Sequence, residues 1–201
     1  MRSTPRKLNS QERVKTAALL GRVTPIPFME EVIFKTFWKA GLMPMVTLEF
    51  LIFESDPFIS AKTLPRILLS YRHDEYYQAW HVPGGYLGAK ETVAQGTKRI
   101  LRRELGNKAK MVQPLFVLNH PQGGREHHIS LFIAITLTKP PHLEKGVLEY
   151  YEPSRAPSSL IPYYRKAFLT LKKIHSFLRT MPKPQRQKFL ELLSICEISG
   201  K

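Results

Sequence analysis

The sequence predicts an α/β protein with additional helices at both ends of the chain. Three observations support this prediction: strand-like apolar runs begin after Pro44, a glycine turn and one helix interrupt them, and residues beyond Pro157 carry apolar side chains at helical spacing. At 201 residues, the chain is long enough for one domain with a full core plus helical additions.

The N-terminal segment, residues 1 to 43, predicts a helical extension. A first helix has Ser10 as its plausible N-cap and Gly21 as its plausible C-cap. A second helix is predicted over Phe28–Ala40, with an apolar stripe formed by Val32, Ile33, Phe37 and Trp38. This stripe is expected to pack on its own domain, and the alternatives are a second subunit, which would make a homodimer, or a membrane surface.

The central segment, residues 44 to 181, predicts strands before and after one helix. The strand-like runs are Val46–Phe53, Arg66–Arg72, Trp80–Val82, Gln113–Asn119 and His128–Leu137. A glycine-containing loop, 121–124, separates the last two. Apolar residues at intervals of three and four then predict a helix over Ser159–Arg179 and a C-terminal helix over Gln185–Ile198, the latter in a separate segment of residues 182 to 201.

The stretch from His81 to Gly106 organises the chain. Gly84 and Gly85 permit a tight turn with backbone close to a ligand. A helix is then predicted, because apolar positions recur at helical spacing and Gly106 stands where a C-cap is expected. The apolar positions are Val93, Thr97, Ile100, Leu101 and Leu105.

The spacing of this stretch resembles the Nudix box, G-x5-E-x7-R-E-U-x-E-E-x-G-U, in which U is aliphatic. Five fixed positions match, namely Gly85, Glu91, Arg99, Glu104 and Gly106. The resemblance covers roughly residues 43 to 160 and implies an α/β/α sandwich with a mixed sheet. Glu91 and Arg99 are expected to form a buried structural ion pair that fixes the loop rather than to act as catalysts, since a carboxylate so placed needs a partner.

Three positions depart from the box. Ile100 and Arg103 stand where the box has its second and third glutamates, and Asn107 stands where it ends in an aliphatic residue. In the Nudix superfamily these glutamates gather magnesium ions around a diphosphate. One carboxylate and a backbone carbonyl can hold a single Mg²⁺, because this ion keeps several waters and takes oxygens from substrate phosphates. The expected metal ligands are therefore Glu104 and the carbonyl of Gly85.

The reduced box resembles that of the GDP-mannose mannosyl hydrolases, which lack the same two glutamates. By this resemblance Glu49 and Arg72 would contact substrate from the first two strands, with His127 contributing from a later strand. Tyr86 follows the double glycine where that family has an arginine, so Tyr86 is a further candidate substrate contact. The phosphate contact that the family's arginine makes has no equivalent at this position.

The family's general base lies in a Gln-His pair on a loop after the last long strand. This chain has no such pair in the corresponding segment, 140–146. His142 or Glu144 could substitute for it, because either can take a proton from water if held within hydrogen-bond reach.

These observations predict magnesium-dependent hydrolysis of a nucleoside diphosphate sugar, releasing sugar and nucleoside diphosphate. Two alternatives stay open: a phosphoanhydride hydrolase whose second carboxylate comes from elsewhere, for example Glu144 or Glu126, and a non-catalytic domain that binds nucleotide or RNA.

The formal charge of +15 is relevant to nucleotide or RNA binding. The excess lies in the flanks: residues 1 to 45 carry eight basic and three acidic residues, and residues 153 to 201 carry ten and two. Such an excess of basic residues favours binding of anionic partners. Basic residues spread over amphipathic helices more often only face solvent.

The remaining composition predicts a cytoplasmic protein. Cys196 is the single cysteine, which excludes an internal disulfide and a cysteine-cluster metal site. No apolar run is long enough to span a bilayer, and the N-terminus lacks the apolar core of a signal peptide.

Overall fold

A computed structural model of the chain describes residues 9–20, 22, 33, 45–58, 63–74, 77–88, 90–120 and 128–194. The described part is a mixed α/β structure with four helices and seven strands. In chain order the elements are α1 (Ser10–Leu20), β1 (Met45–Ile52), β2 (Ile67–His73), β3 (Gln78–His81), β4 (Gly84–Tyr86), α2 (Val93–Leu105), β5 (Ala109–His120), β6 (His128–Leu137), β7 (Leu148–Tyr151), α3 (Pro162–Thr180) and α4 (Lys183–Ser194).

The strands form two sheets. The larger is mixed and has the order β4-β1-β6-β5, with β1 parallel to β6 and the other pairs antiparallel. The smaller is antiparallel, with β2 between β3 and β7. An isolated bridge between Phe53 and Ile67 joins the end of β1 to the start of β2. The two strands expected to carry substrate contacts therefore lie beside each other.

Side-chain alternation divides the core between the two faces of the sheets. On β1, Leu48, Phe50 and Ile52 pack with Ile100 and Leu101 of α2. The intervening positions of β1 face the opposite way, and Leu51 packs with residues of α3 in the second cluster, which includes Phe168 and Leu171. Helices therefore cover both faces, as in the predicted sandwich. Glu49 shares the parity of Leu51, so β1 directs its side chain toward α3.

Helix α2 is capped at both ends. Thr92 is its N-cap, and Thr92 and Gln95 bond each other's backbone N–H groups in a capping box. At the other end Gly106 adopts φ 59°, the left-handed conformation that glycine reaches without a Cβ penalty, and its N–H bonds the carbonyl of Arg102. The helix therefore ends at Leu105, which fixes where Arg103 and Glu104 emerge.

Most predicted elements are confirmed, and three details are corrected. The N-cap of α1 is Asn9 rather than Ser10, because the Asn9 side chain accepts the N–H of Glu12 while the Glu12 carboxylate accepts that of Asn9. The glycine turn continues into the short strand β4, which pairs with β1. Strand β7, which the sequence did not predict, pairs with β2. The predicted helix Phe28–Ala40 and the loop 121–124 lie outside the described residues, apart from the isolated Ile33.

Helix α4 packs on the domain. The Arg186 guanidinium donates to the carbonyl of Phe58 at 2.9 Å, and Phe189 packs against the core cluster that includes α3. Helix α4 therefore covers part of the domain. No helix in the described part of the chain is long and apolar enough to cross a membrane.

Candidate active site

A cleft of about 580 Å³ opens where β1, β2, β3 and β4 meet the end of α2 and the start of α3. Its volume suits a nucleotide-sized ligand. Both charge signs and several aromatic rings are represented in its lining: Met45, Thr47, Glu49, Tyr71, Arg72, His73, Tyr77, His81, Val82, Gly84, Gly85, Tyr86, Arg103, Glu104, His128, Ile161, Tyr163 and Tyr164.

Glu49 lies at the floor of this cleft and is only 5% exposed. Its Oε2 accepts a hydrogen bond from the Tyr164 hydroxyl at 2.8 Å. Burial raises the pKa of Glu49 from 4.5 to about 7, although the hydrogen bonds from Tyr164 and Thr47 and the charge of Arg72 act in the opposite direction. The carboxyl group therefore takes up or releases a proton near neutral pH, inside the cleft.

The two tyrosines at the start of α3 extend this hydrogen-bond chain. Tyr163 donates to the Tyr164 hydroxyl at 2.7 Å, and Tyr164 in turn donates to Glu49. Burial raises the pKa of both phenols, and the negative charge of Glu49 adds to that effect. Both hydroxyls therefore stay protonated at neutral pH and fix the orientation of the carboxyl group.

The double glycine lets β4 approach β1 closely. A Cβ at Gly84 would lie 2.5 Å from the carbonyl oxygen of Leu48, which no side chain can accommodate without a backbone shift. At Gly85 a Cβ would lie 3.0 Å from Nη2 of Arg103. The guanidinium of Arg103 therefore sits directly against the backbone of Gly85.

Arg103 also pairs with Glu104. Its Nε and Nη2 donate to Oε1 of Glu104 at 2.8 and 2.6 Å. The carboxylate expected to bind the metal is thus neutralised by the guanidinium next to it in the sequence. Within the described ranges, no group of three His, Cys, Asp or Glu side chains is arranged to hold a metal ion. In this arrangement the Glu104 carboxylate fits a resident metal ion only if Arg103 is displaced from it.

Arg72 enters the cleft from β2. Its Nε donates to the carboxylate of Asp74, and its guanidinium lies 6.0 Å from the ring centroid of Tyr77. This contact with Asp74 uses one edge of a group that carries five donors in a planar fork. The geometry suits the oxygens of a phosphate.

His81 ends β3 beside the glycine turn. Its Nδ1 lies 2.7 Å from the carbonyl oxygen of Val82, and because a carbonyl can only accept, Nδ1 carries the proton. Burial lowers the pKa of His81, and the positive charge of Arg72 adds to that effect. The ring is therefore neutral at pH 7, with Nε2 as an acceptor.

Aromatic rings form the wall beside α3. His120 stacks on His128 at a centroid distance of 4.5 Å, and Tyr163 packs against both, at 4.8 and 5.5 Å. Burial lowers the pKa of His120 to about 4, and the nearby charges of His128 and Lys166 act in the same direction. His120 is therefore an uncharged backing for the two rings that reach the cleft, His128 and Tyr163.

The ion pair expected beside the box is present. Arg99 donates through Nε and Nη2 to the two carboxylate oxygens of Glu91, both at 2.7 Å. Arg99 also bonds the carbonyl of Tyr86, and Glu91 accepts the N–H of Gly88. These bonds tie α2 to the loop after β4, which supports the structural interpretation of the pair.

The structure brings five of the sequence-predicted site residues into one cleft: Glu49, Arg72, Gly85, Tyr86 and Glu104. His127 lies outside the described residues, and its neighbour His128 lines the cleft instead. His142 and Glu144 are exposed and do not line it. The loop that carries them bonds β2 through the N–H of Tyr71 and the carbonyl of Val147. Their role as general base stays a prediction.

Three site features were missed from the sequence: the tyrosine pair, the orientation of His81 and the position of the Arg103 guanidinium. The first had a usable signal. Tyr164 lies four residues before Phe168 and seven before Leu171, so it belongs to the apolar stripe predicted for this helix. Nothing in the sequence reports which side of the glycine turn His81 faces.

Comparison with known proteins identifies the fold. No protein-family model matches this chain, and no curated protein matches it. Two similar solved structures are a MutT NUDIX hydrolase from Burkholderia pseudomallei, with 21% identity and a TM-score of 0.52, and a possible asymmetric diadenosine tetraphosphate hydrolase from Jonesia denitrificans, with 16% identity and a TM-score of 0.54. The matches cover 64% and 68% of this chain and 98% of each structure. The chain therefore has the fold of the Nudix hydrolases.

Proposed function

We propose that the cleft binds a nucleoside diphosphate derivative and hydrolyses it, with nucleoside diphosphate sugars as the first substrate class to test. The observation that carries the proposal is the convergence of Arg72, Arg103, His81 and Glu49 in one cleft of nucleotide size. The fold supports it, since the solved structures named above include hydrolases of a MutT type and a possible dinucleotide tetraphosphate type.

The two guanidinium groups would hold the diphosphate. Arg72 on β2 and Arg103 on α2 both line the cleft, and a guanidinium can donate two parallel hydrogen bonds to phosphate oxygens. The rings of Tyr163 and His128 meet edge to face beside this position and offer an aromatic wall against which a base or sugar could pack. The ligand would then lie across the cleft with its diphosphate near the glycine turn.

His81 is the proposed general base. Its Nε2 is free to accept a proton because Nδ1 donates to Val82. In the proposed step, the oxygen of a water molecule attacks the anomeric carbon of the sugar and its proton passes to Nε2. The bond between that carbon and the diphosphate oxygen breaks, and its electron pair leaves with the diphosphate, whose charge the two arginines offset. The products are a free sugar of inverted configuration and a nucleoside diphosphate.

Magnesium remains the metal ion that the sequence resemblance implies, with Glu104 and the Gly85 carbonyl as its predicted ligands. The Glu104 carboxylate would first have to part from Arg103, to which it bonds at 2.6 Å. Mg²⁺ carried in by the phosphates of the ligand would need fewer protein ligands than a resident ion. Turnover should therefore be measured both with Mg²⁺ and with a chelator.

A second candidate function is nucleotide binding without turnover. The observation that favours it is the same ion pair, because a carboxylate held by Arg103 is a poor partner for the metal ions that hydrolysis of a phosphoanhydride needs. RNA binding through the basic flanks belongs to this candidate. It would show a steep loss of affinity with salt, since each neutralised phosphate releases counterions.

The test is a screen of nucleotide sugars and dinucleoside polyphosphates in ¹⁸O-labelled water, with products identified by mass spectrometry. Label in a free sugar supports the proposed bond cleavage, whereas label in a nucleoside monophosphate or sugar phosphate supports a phosphoanhydride hydrolase. His81→Gln should lower turnover at least a hundredfold, because a positioned base contributes about 10²- to 10⁴-fold. His142→Gln is the matched control. A loss of turnover in that variant would show that the general base lies in the 140–146 loop. Binding without any turnover would support the second candidate function, nucleotide binding without hydrolysis.

A further inference from the structure

We infer that the Arg103 guanidinium takes the place of a metal ion in this cleft, so that a nucleoside diphosphate binds here without a divalent cation. The inference deepens the proposed function and rests on it, because it names what neutralises the diphosphate at that site. It departs from the magnesium dependence that the sequence predicts.

The position of the guanidinium is the first argument. Arg103 Nη2 lies 3.0 Å from where a Cβ of Gly85 would be, and 2.6 Å from Oε1 of Glu104. Gly85 and Glu104 are the two residues expected to ligate the ion. The cationic group thus lies against both residues that are expected to ligate the ion.

The bonding of the guanidinium is the second argument. Oε1 of Glu104 accepts from both Nε and Nη2, and these two bonds to one oxygen hold that edge of the planar group against the carboxylate. These two bonds leave other N–H groups of the five available for phosphate oxygens. Glu104 then acts as a positioning residue for Arg103 rather than as a metal ligand.

The charge of the site is the third argument. Glu49 is buried and hydrogen-bonded to Tyr164, and Oε1 of Glu104 is bonded to Arg103, so each carboxylate already has a hydrogen-bonded partner in the cleft. Arg72 adds a second guanidinium to the same cleft. A diphosphate entering this site meets hydrogen-bond donors and positive charge without a bridging ion.

The experiment measures the affinity of GDP and ADP by calorimetry, in EDTA and in Mg²⁺, for the full-length protein and three variants. Arg103→Gln removes the charge at similar length. Arg102→Gln is the matched control, because it makes the same change one residue away, on an exposed arginine that lines a different groove between α2 and β5. Arg103→Glu restores a carboxylate that the Nudix box has. Circular dichroism establishes that each variant is folded.

The wild-type protein should bind with the same Kd, within about threefold, in both buffers. Arg103→Gln should weaken binding at least tenfold in EDTA, since a charge-assisted hydrogen bond contributes that much or more, and Arg102→Gln should leave it unchanged. Arg103→Glu should bind only when Mg²⁺ is present. Wild-type binding that requires Mg²⁺, or unchanged affinity in Arg103→Gln, overturns the inference and leaves the proposed function standing. If GDP and ADP bind in neither buffer, both the inference and the proposed function are refuted.

Discussion

Replacing Glu49 by glutamine should remove a specific pH dependence of stability. Glu49 is buried at the floor of the cleft, and its pKa rises from 4.5 to about 7 on folding because burial disfavours the charged form. Between these values the folded state keeps the proton while the unfolded state loses it. The stability from this group is therefore fully present below pH 4.5 and is lost as pH rises through 7.

The size of the effect follows from the shift. A change of about 2.5 pKa units corresponds to about 3 kcal/mol, at 1.36 kcal/mol per unit, and most of it falls between pH 5 and pH 8. Over that range the wild-type protein should lose about 2 to 3 kcal/mol relative to Glu49→Gln. His120, whose pKa is lowered to about 4, titrates in the opposite sense, but it is common to both proteins and cancels in the difference.

Urea unfolding at half-unit steps from pH 5 to 8.5 measures this difference. The control is Glu144→Gln, which makes the same chemical change at an exposed carboxylate. Its difference from wild type should not vary with pH by more than a few tenths of a kcal/mol, the usual range for surface substitutions. If the difference between wild type and Glu49→Gln is the same at every pH, Glu49 is ionised in the folded protein and the argument from its burial fails.

Three further outcomes test the local structure around the cleft. Gly84→Ala should destabilise the fold by about 2 kcal/mol or more in urea unfolding, because its Cβ would lie 2.5 Å from the Leu48 carbonyl; a stable variant would mean that β4 is not held against β1. Thr92→Ala should cost about 1 kcal/mol through loss of the N-cap, with Thr92→Ser restoring most of it. Glu91→Gln should cost about 1 to 2 kcal/mol at pH 7 and much less once the pH falls below the lowered pKa of Glu91, because Arg99 lowers that pKa and the stability is lost as the carboxylate protonates; a cost independent of pH would contradict the ion pair.

The fold could be predicted because its signals are local and periodic. The apolar runs gave β1, β2 and β6, and Gly106 marked the end of α2 at the residue where the left-handed conformation occurs. Strand β7 was missed because its four residues form no run of alternating character and depend on pairing with β2. Tertiary contact, rather than local preference, makes that segment a strand.

Glu49 and Arg72 were expected from the resemblance of their strands, and both line the cleft. Contacts that depend on packing between distant elements were missed. The contact between Glu49 and Tyr164 joins residues 115 positions apart, so only the packing of α3 on the sheet could reveal it. The resulting rise in the pKa of Glu49 was equally beyond sequence reasoning, since burial is its main cause.

The position of the Arg103 side chain also could not be predicted from the sequence. The sequence indicates that two glutamates of the Nudix box are replaced by Ile100 and Arg103, which predicts fewer metal ions. It does not indicate where a long, flexible side chain will lie, because only the folded turn provides Gly85 as a surface without a Cβ. Three carboxylates at these helix positions would carry a charge of −3, whereas Ile100, Arg103 and Glu104 together carry none. Under the inference above, a site changed by three charge units needs no metal ion to offset its own glutamates, and the positive charge that it would offer to a diphosphate is part of the chain.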